Sequence, residues 1–532
     1  MGKLRKPFVI LFILALLLPV AAGAQDQPTT LRVGTTYIMD TINPANGFYG
    51  YNIRPLWQDT LVEWAGGQNF EPGLAENWSV SDDGLVWQFK IREGVTYSDG
   101  APLTANEVAW SLNWVIDNEI PSMISYLSNI ETVEALDPTT LQMTLGAPVP
   151  DMISAKLLFV WIVAPQVWEN ISGDDITTYS EYDAVLGSGP YMLTDFQEGE
   201  YMIMDANPNY WGGKPPVDRI IYQEYANDDA MIQALLAGEI DLITSVPFSG
   251  TQPLLDAADS VTVSVSDHFS LEELIINSSP DGTQPASLND PIVRSAISHA
   301  IDKQQIITVA YLGYATPAAT FLGPAYGDFH NTDIQDDAFD LAEANRLLDE
   351  AGYMDTNGDG VREYSDGSLL EYRLYAPESS TYYARVIEII SNDLAQIGIS
   401  APPQVLSDDS LIALQPDYDN DLIYWGWNFD PDPAFAVSIF TCDETVDGGW
   451  SDSGYCNPDY DALYEAQSTA VDHEQRREAI WQAQQMIFDD KPYIPVAYYN
   501  SISAYRSSGF SFDSNLAAEP IKWALFHGFS MK

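Results

Sequence analysis

Between Trp87 and Val115 the apolar residues change their period, and this change limits the fold more than any other feature of the chain. Trp87, Phe89 and Ile91 alternate with Gln88, Lys90 and Arg92, the two-residue period of a half-buried strand. Asp99-Gly100 then turns the chain. Thr104-Ala105-Asn106-Glu107 is a capping box, and Val108, Leu112 and Val115 follow at helical spacing. Similar switches recur. Leu31-Arg32-Val33 reads as a strand, and Phe48 to Tyr51 precedes a helical pattern through Ile53, Leu56, Trp57 and Leu61. Met231 and Leu235 lie on a helix stopped by Gly238, and Ile240 to Ile243 enters a strand. Asp290-Pro291 opens a helix whose stripe Ile292, Ala296 and Ala300 lies beside Val293, Ile297 and Ile301. Leu341 to Ala351 is a helix closed by Gly352. Val386, Ile390, Leu394 and Ile397 are the buried face of another, closed by Gly398, and Asp472 to Phe488 is the last long one. The chain therefore reads as α/β.

The N-terminus reads as a processing signal. Lys3, Arg5 and Lys6 precede an apolar run from Pro7 to Val20, too short for an ordinary spanning helix, and Ala22-Gly23-Ala24 supplies small residues for cleavage. Residues 1-24 are expected to be a signal peptide; an uncleaved anchor is the other reading. The rest of the 532 residues suffices for two to four lobes. With 77 acidic against 22 basic residues, the surface repels nucleic acid and anionic membrane. Cys442 and Cys456 are the only cysteines, and in an exported protein a disulfide is the default.

Two stretches carry candidate sites. DLIYWGWNFDPDP, from Asp421 to Pro433, puts Tyr424, Trp425, Trp427 and Phe429 beside carboxylates, and Asp430-Pro431-Asp432-Pro433 stops the strand. Large flat faces beside fixed charges suit gripping a solute in a crevice, whereas core aromatics before a turn are the plainer reading. Asp355, Asn357 and Asp359, with the Val361 carbonyl, Glu363 and Asp366, have the spacing of a Ca²⁺ loop. Asp366 stands one methylene short of the usual glutamate. The alternative is an acidic turn tied by its own hydrogen bonds. No HExxH, GxSxG, P-loop or GxGxxG occurs, and His268, His299, His330, His473 and His527 have no ligand spacing. A secreted glycoside hydrolase would need two placed carboxylates, and the sequence singles out no such pair.

Pro72 to Trp78, then SDDGLVWQFKIREGVTYSDGAPLTANEV (Ser81 to Val108), resembles the family 5 extracellular solute-binding proteins, the dipeptide, oligopeptide and nickel receptors of ABC importers. Gly187 to Tyr191, Asn207 to Gly213, Ala234 to Ile243, Pro291 to Ile307 and Asn457 to Gln467 continue the resemblance, as does the segment near Lys491-Pro492. It implies a two-lobed periplasmic-binding-protein fold with a hinge and an additional inserted α/β domain. Lobe I is expected at 25-70, 188-275 and 496-532, the insert at 71-187 and lobe II at 276-495, with crossing strands near 275 and 495. It further implies a monomer, not an enzyme, with no required cofactor beyond the candidate structural Ca²⁺. Such a protein hands its solute, a peptide first and an oligosaccharide second, to a membrane permease. In the family's peptide receptors an acidic residue just ahead of an Asp-Pro holds the ligand's amine. Here Trp427 or Phe429 stands at that place, a departure from the pattern. The candidate crevice residues are Phe48, Tyr49, Trp425, Trp427, Asn428 and Asp430.

Overall fold

A computed structural model of the chain describes residues 29–37, 41–46, 53–364, 367–446, 448–513 and 515–532. The signal segment, Phe48, Tyr49 and Asp366 lie outside the described residues.

Two mixed sheets share one strand, Tyr493–Arg506. Its first half pairs antiparallel with Ser270–Ile276, placing Ile275 opposite Tyr493 and Glu272 opposite Ala497. Its second half pairs antiparallel with Val261–Asp267, placing Asp267 opposite Asn500. The backbone thus passes between sheets twice, at His268-Phe269 and around Tyr498-Tyr499. On one side the sheet continues through Leu242–Ile243, Thr30–Thr35, Arg219–Glu224, Tyr201–Ala206 and Tyr191–Gln197. On the other it continues through Ser270–Ile276, Leu422–Asn428, Leu374–Pro377 and Pro403–Leu406. The protein is two-lobed, with the crossing strands as its hinge.

Each lobe has its own apolar core, one including Leu31, Val33, Ile220 and Tyr222, the other Leu274, Ile297, Ile390 and Leu422. Leu274, Ile275 and Ile276 are all fully buried, because helices or loops cover both faces of that strand. An additional α/β unit carries a separate antiparallel sheet of Ala75–Val80, Val86–Ile91, Thr140–Leu145 and Ile130–Asp137. The helix Ala105–Asp117 packs on it through Val108, Leu112 and Val115. Its capping box is formed: the Thr104 N–H donates to Glu107 Oε2 at 2.8 Å, and Thr104 Oγ1 accepts from the Asn106 N–H at 3.2 Å.

The segments that carry the family resemblance meet in space. Asp59, fully buried, accepts from Ser188 Oγ and Trp211 Nε1, both at 2.8 Å. Lys522 Nζ donates to Asp59 at 2.7 Å and to Glu63 at 2.6 Å, tying the C-terminal helix Ile521–His527 to the N-terminal segment. Gly187 and Gly189 pass so close to Trp57 that a Cβ would stand 2.1 and 2.6 Å from its backbone. Other cations are also buried in pairs. Arg476 holds Asp432 through bonds of 2.5 and 2.8 Å, and Lys303 meets Asp336 at 2.5 Å.

Three local expectations fail. The helical pattern from Ile53 to Leu61 stops early: Ile53 is helical, Arg54–Leu56 is a 3-10 turn, and Val62–Trp64 forms a strand. The strand expected from Ile240 is only Leu242–Ile243. Ile292, in the first turn of its helix, is 38% exposed, while Val293, Ala296, Ile297 and Ala300 are buried. Removing one partner of a buried ion cluster leaves an uncompensated charge, which costs about 3–5 kcal/mol. Lys522→Met should therefore lower the unfolding free energy by about that amount, measured by urea titration at pH 7.

Candidate functional site

A cleft of about 900 Å³ opens between the lobes, along the crossing strands. One lobe supplies Thr244 to Ser249, the loop at the carboxyl end of Leu242–Ile243, where α/β sheets leave a crevice. The other supplies Ser379 to Tyr382, at the start of the helix Tyr383–Ala395, together with Asn428 and Phe429. His268, Phe269 and Tyr499 line it at the crossing itself. The helix start has no side-chain cap; the Tyr383 and Arg385 N–H groups donate to the Ser380 and Tyr382 carbonyls at 3.1 and 3.0 Å instead. Serine, threonine and asparagine recur along the lining, beside aromatic faces, which fits a solute with both polar and apolar parts.

Of the four described crevice candidates, only Asn428 lines the cleft; its Oδ1 accepts from the Tyr499 hydroxyl. Trp427 lies in the wall behind, stacked on Phe429 at 5.7 Å and edge-on to Phe435 and Trp450 at 5.8 and 6.2 Å. Trp425 is half-buried in the same apolar cluster. Strand alternation is the cause: Trp425 and Trp427 share one face, Asn428 the other. Asp430 does not line the cleft, although Phe429 and Pro431 beside it do. The Asp430 carbonyl accepts from the Tyr326 hydroxyl at 3.0 Å, and the Pro431 carbonyl accepts from Gln68 Nε2. Asp432 also accepts from Ser154 Oγ, so the Asp-Pro-Asp-Pro loop joins the inserted unit to the second lobe.

The crossing strand Ser270–Ile276 carries two adjacent carboxyls on opposite faces, both almost fully buried. Glu272 faces a group of tyrosines on the cleft side. Glu272 Oε1 accepts from the Tyr382 and Tyr383 hydroxyls at 3.1 and 3.2 Å. Burial pushes its pKa up to about 8, against the pull of the tyrosine hydroxyls. Glu273, whose two oxygens have no hydrogen-bond partner, is pushed well above the carboxylate range by burial and then by the Glu272 and Asp452 charges. Asp452 is itself raised to about 7 by burial. His268 stacks on Tyr499 at 5.7 Å, and burial pushes its pKa down to about 4.

The acidic loop ties itself. Asp355 accepts from the Gly358 and Gly360 N–H groups at 2.6 and 2.9 Å, Asp359 from the Val361 N–H at 2.9 Å, and Glu363 from the Thr356 N–H at 2.7 Å. Among the described residues no three of His, Cys, Asp or Glu converge as metal ligands. Cys442 and Cys456 are joined as a disulfide, Cα atoms 4.4 Å apart, in the loop that carries Trp450 and Asp452.

Residues 69–447 match the family described as bacterial extracellular solute-binding proteins, family 5 Middle. The chain belongs to that family. It is 26% identical over 537 residues to a di/tripeptide-binding protein of Pseudomonas aeruginosa, covering 93% of this chain and 96% of that one. It is 25% identical over 515 residues to the nickel-binding periplasmic protein of Escherichia coli, covering 94% of each. The solved periplasmic oligopeptide-binding protein of Thermotoga maritima superposes with a TM-score of 0.83 at 20% identity, over 95% of this chain and all of that one. The family is one of solute receptors, and among the described residues no helix of this member is long and apolar enough to cross a membrane.

The loop Thr244–Ser249, the His268 crossing and the Ser379–Tyr382 helix start were not singled out from the sequence of this family 5 protein. The signal available was position: short Ser/Thr/Asn runs directly after a strand or before a helix. A carboxyl whose pKa is raised on folding contributes stability below about pH 4.5 and loses it as pH rises through the folded value. Glu273→Gln removes that loss, so its melting temperature relative to wild type should climb between pH 5 and pH 8. Replacing both cysteines by serine should cost about 3 kcal/mol, the chain-entropy value for a loop of this length, read from urea midpoints.

Proposed function

We propose that this chain is the extracytoplasmic receptor of an ABC importer and that its cargo is a peptide. The observation that carries the reading is a cleft built from both lobes and flanked by the strands that join them. Solute contacts from both sides favour the shut form, and the shut form docks on a membrane permease. The cargo undergoes no covalent change. Cleavage after residue 24 releases the mature protein outside the cytoplasm. We place lobe I at 29–70, 188–267 and 500–532, the inserted unit at 71–187 and lobe II at 270–498. The hinge is then His268-Phe269 with Tyr499, rather than the neighbourhood of 275 and 495.

Two things support a peptide. A similar protein is named for di- and tripeptides. Serine, threonine and asparagine side chains around the cleft can pair with amide groups. The wall of Trp425 and Trp427, which would favour an oligosaccharide, is turned away from the opening.

A pool of di- to pentapeptides should raise the melting temperature and contract the protein in solution scattering. At a hundred times Kd the stabilisation is about 2.7 kcal/mol. A rise with oligosaccharides alone would overturn the peptide assignment. A scattering profile unchanged by a bound ligand would overturn hinge closure.

A further inference from the structure

The inserted unit touches both lobes, and the two contacts are built differently. Towards lobe I the main chain takes part: the Ile162 N–H donates to the Asp59 carbonyl at 3.0 Å, and Asn43 Nδ2 donates to the Ile176 carbonyl at 2.6 Å. The chain also enters and leaves the unit from that lobe. Towards lobe II, among the described residues, no backbone–backbone hydrogen bond crosses. Side chains span the seam instead. Gln68 Nε2 donates to the Pro431 carbonyl, and Ser154 Oγ donates to Asp432. Gln68 also lies against Gly327, where a Cβ would stand 3.9 Å from its Cγ. From the other side Val471 reaches the inserted unit; a Cβ on Gly84 would stand 3.0 Å from Val471 and 3.1 Å from Pro148.

Each side of the seam keeps its own charges paired. Asp432 accepts from Arg476 at 2.5 and 2.8 Å and from the Ala434 N–H at 2.8 Å, all within lobe II. Asp151, on the inserted unit, meets Lys156 at 3.9 Å. Parting the two surfaces therefore strands no ion, and what is lost is two hydrogen bonds and some packing. The contact also carries its own opposition: burial, and then the Asp432 charge across the seam, hold the Asp151 carboxyl above the usual carboxylate range. A boundary of this kind can separate and re-form. It borders the cleft, since Gly67 and Pro431, the chain neighbours of Gln68 and Asp432, line it, whereas Gln68, Ser154 and Asp432 do not.

We propose that this seam is a latch of the shut form, in which Gln68 and Ser154 fasten the first lobe and its inserted unit to the Pro431-Asp432 corner of the second. Apparent affinity scales with the fraction of molecules in the binding-competent form. Gln68 and Ser154 are thus positioning residues: they raise the affinity for every solute by one factor and touch none. The inference rests on the proposed hinge closure and adds that part of the affinity is built outside the solute site.

The test compares wild type with Gln68→Met/Ser154→Ala, which removes both donors with little change of shape. Calorimetry with trialanine, trileucine and maltotriose reads affinity, and scattering without added solute reads the radius of gyration. The variant should melt like wild type and bind every recognised probe about tenfold more weakly, the worth of one or two net hydrogen bonds. Where the shut form already prevails without solute, the radius should grow as well. Unchanged affinity with an unchanged radius refutes the latch and leaves the receptor standing, and so does a loss that differs between two recognised probes. If maltotriose alone is bound, the peptide assignment falls and the same tenfold loss decides the latch. If no probe is bound, the radius decides it: a wider variant supports the latch and an equal one refutes it. Should the double variant melt below wild type, the single Gln68→Met, at a half-buried position, is held to the same outcomes.

Discussion

The strand Tyr493–Arg506 is hydrogen-bonded into two sheets at once, and the remainder of the architecture follows from that double membership. A strand has two edges, and this one gives part of its length to each lobe. Together with the Val261–Asp267 and Ser270–Ile276 pair, it leaves two backbone crossings, at His268-Phe269 and near Tyr499. Two parallel tethers allow twisting and bending but oppose sliding. The cleft sits where the tethers run, so its floor is shared while its walls belong to separate bodies.

The polar interior is arranged to the same end. Asp59 gathers Ser188, Trp211 and Lys522 from three distant parts of the chain. Asp432 gathers Arg476 and Ser154, fixing the wall behind the aromatic stretch to the inserted unit. These carboxylates are worth burying because each is fully engaged; losing any partner would strand a charge in an apolar setting. Glu272 and Glu273 differ, since they retain unpaired oxygens beside the hinge. That contrast separates groups that hold the fold from groups with capacity left over.

The lobed α/β architecture was legible in the sequence because periodicity, caps and turn glycines agree locally. Thr104 and Glu107 form their box, Asp290 caps its helix, and Gly238 and Gly398 take left-handed backbone angles as helix stops. The lining of the cleft was less legible. The stretch Tyr424 to Phe429 pointed to a strand that borders the cleft through Asn428, yet composition does not say which face of a strand looks at solvent. Register puts Trp425 and Trp427 on the packed face and leaves Asn428 to the cleft. Glu272 lay in an unremarked run, Ser270-Leu271-Glu272-Glu273, which reads as a surface pair until the sheet encloses it. Burial of charge depends on long-range pairing, and no local rule contains it.

Lys522, Arg476 and Lys303 spend their charge indoors, each less than a tenth exposed. With so few basic side chains in the whole chain, little positive charge remains for the exterior. The exterior as a whole therefore carries a large negative charge, and the like charges on it repel one another. Dissolved salt shortens the reach of that repulsion to about 10 Å at 0.1 M ionic strength and about 3 Å at 1 M. Salt therefore weakens the self-repulsion of this surface, which otherwise works against the compact folded state.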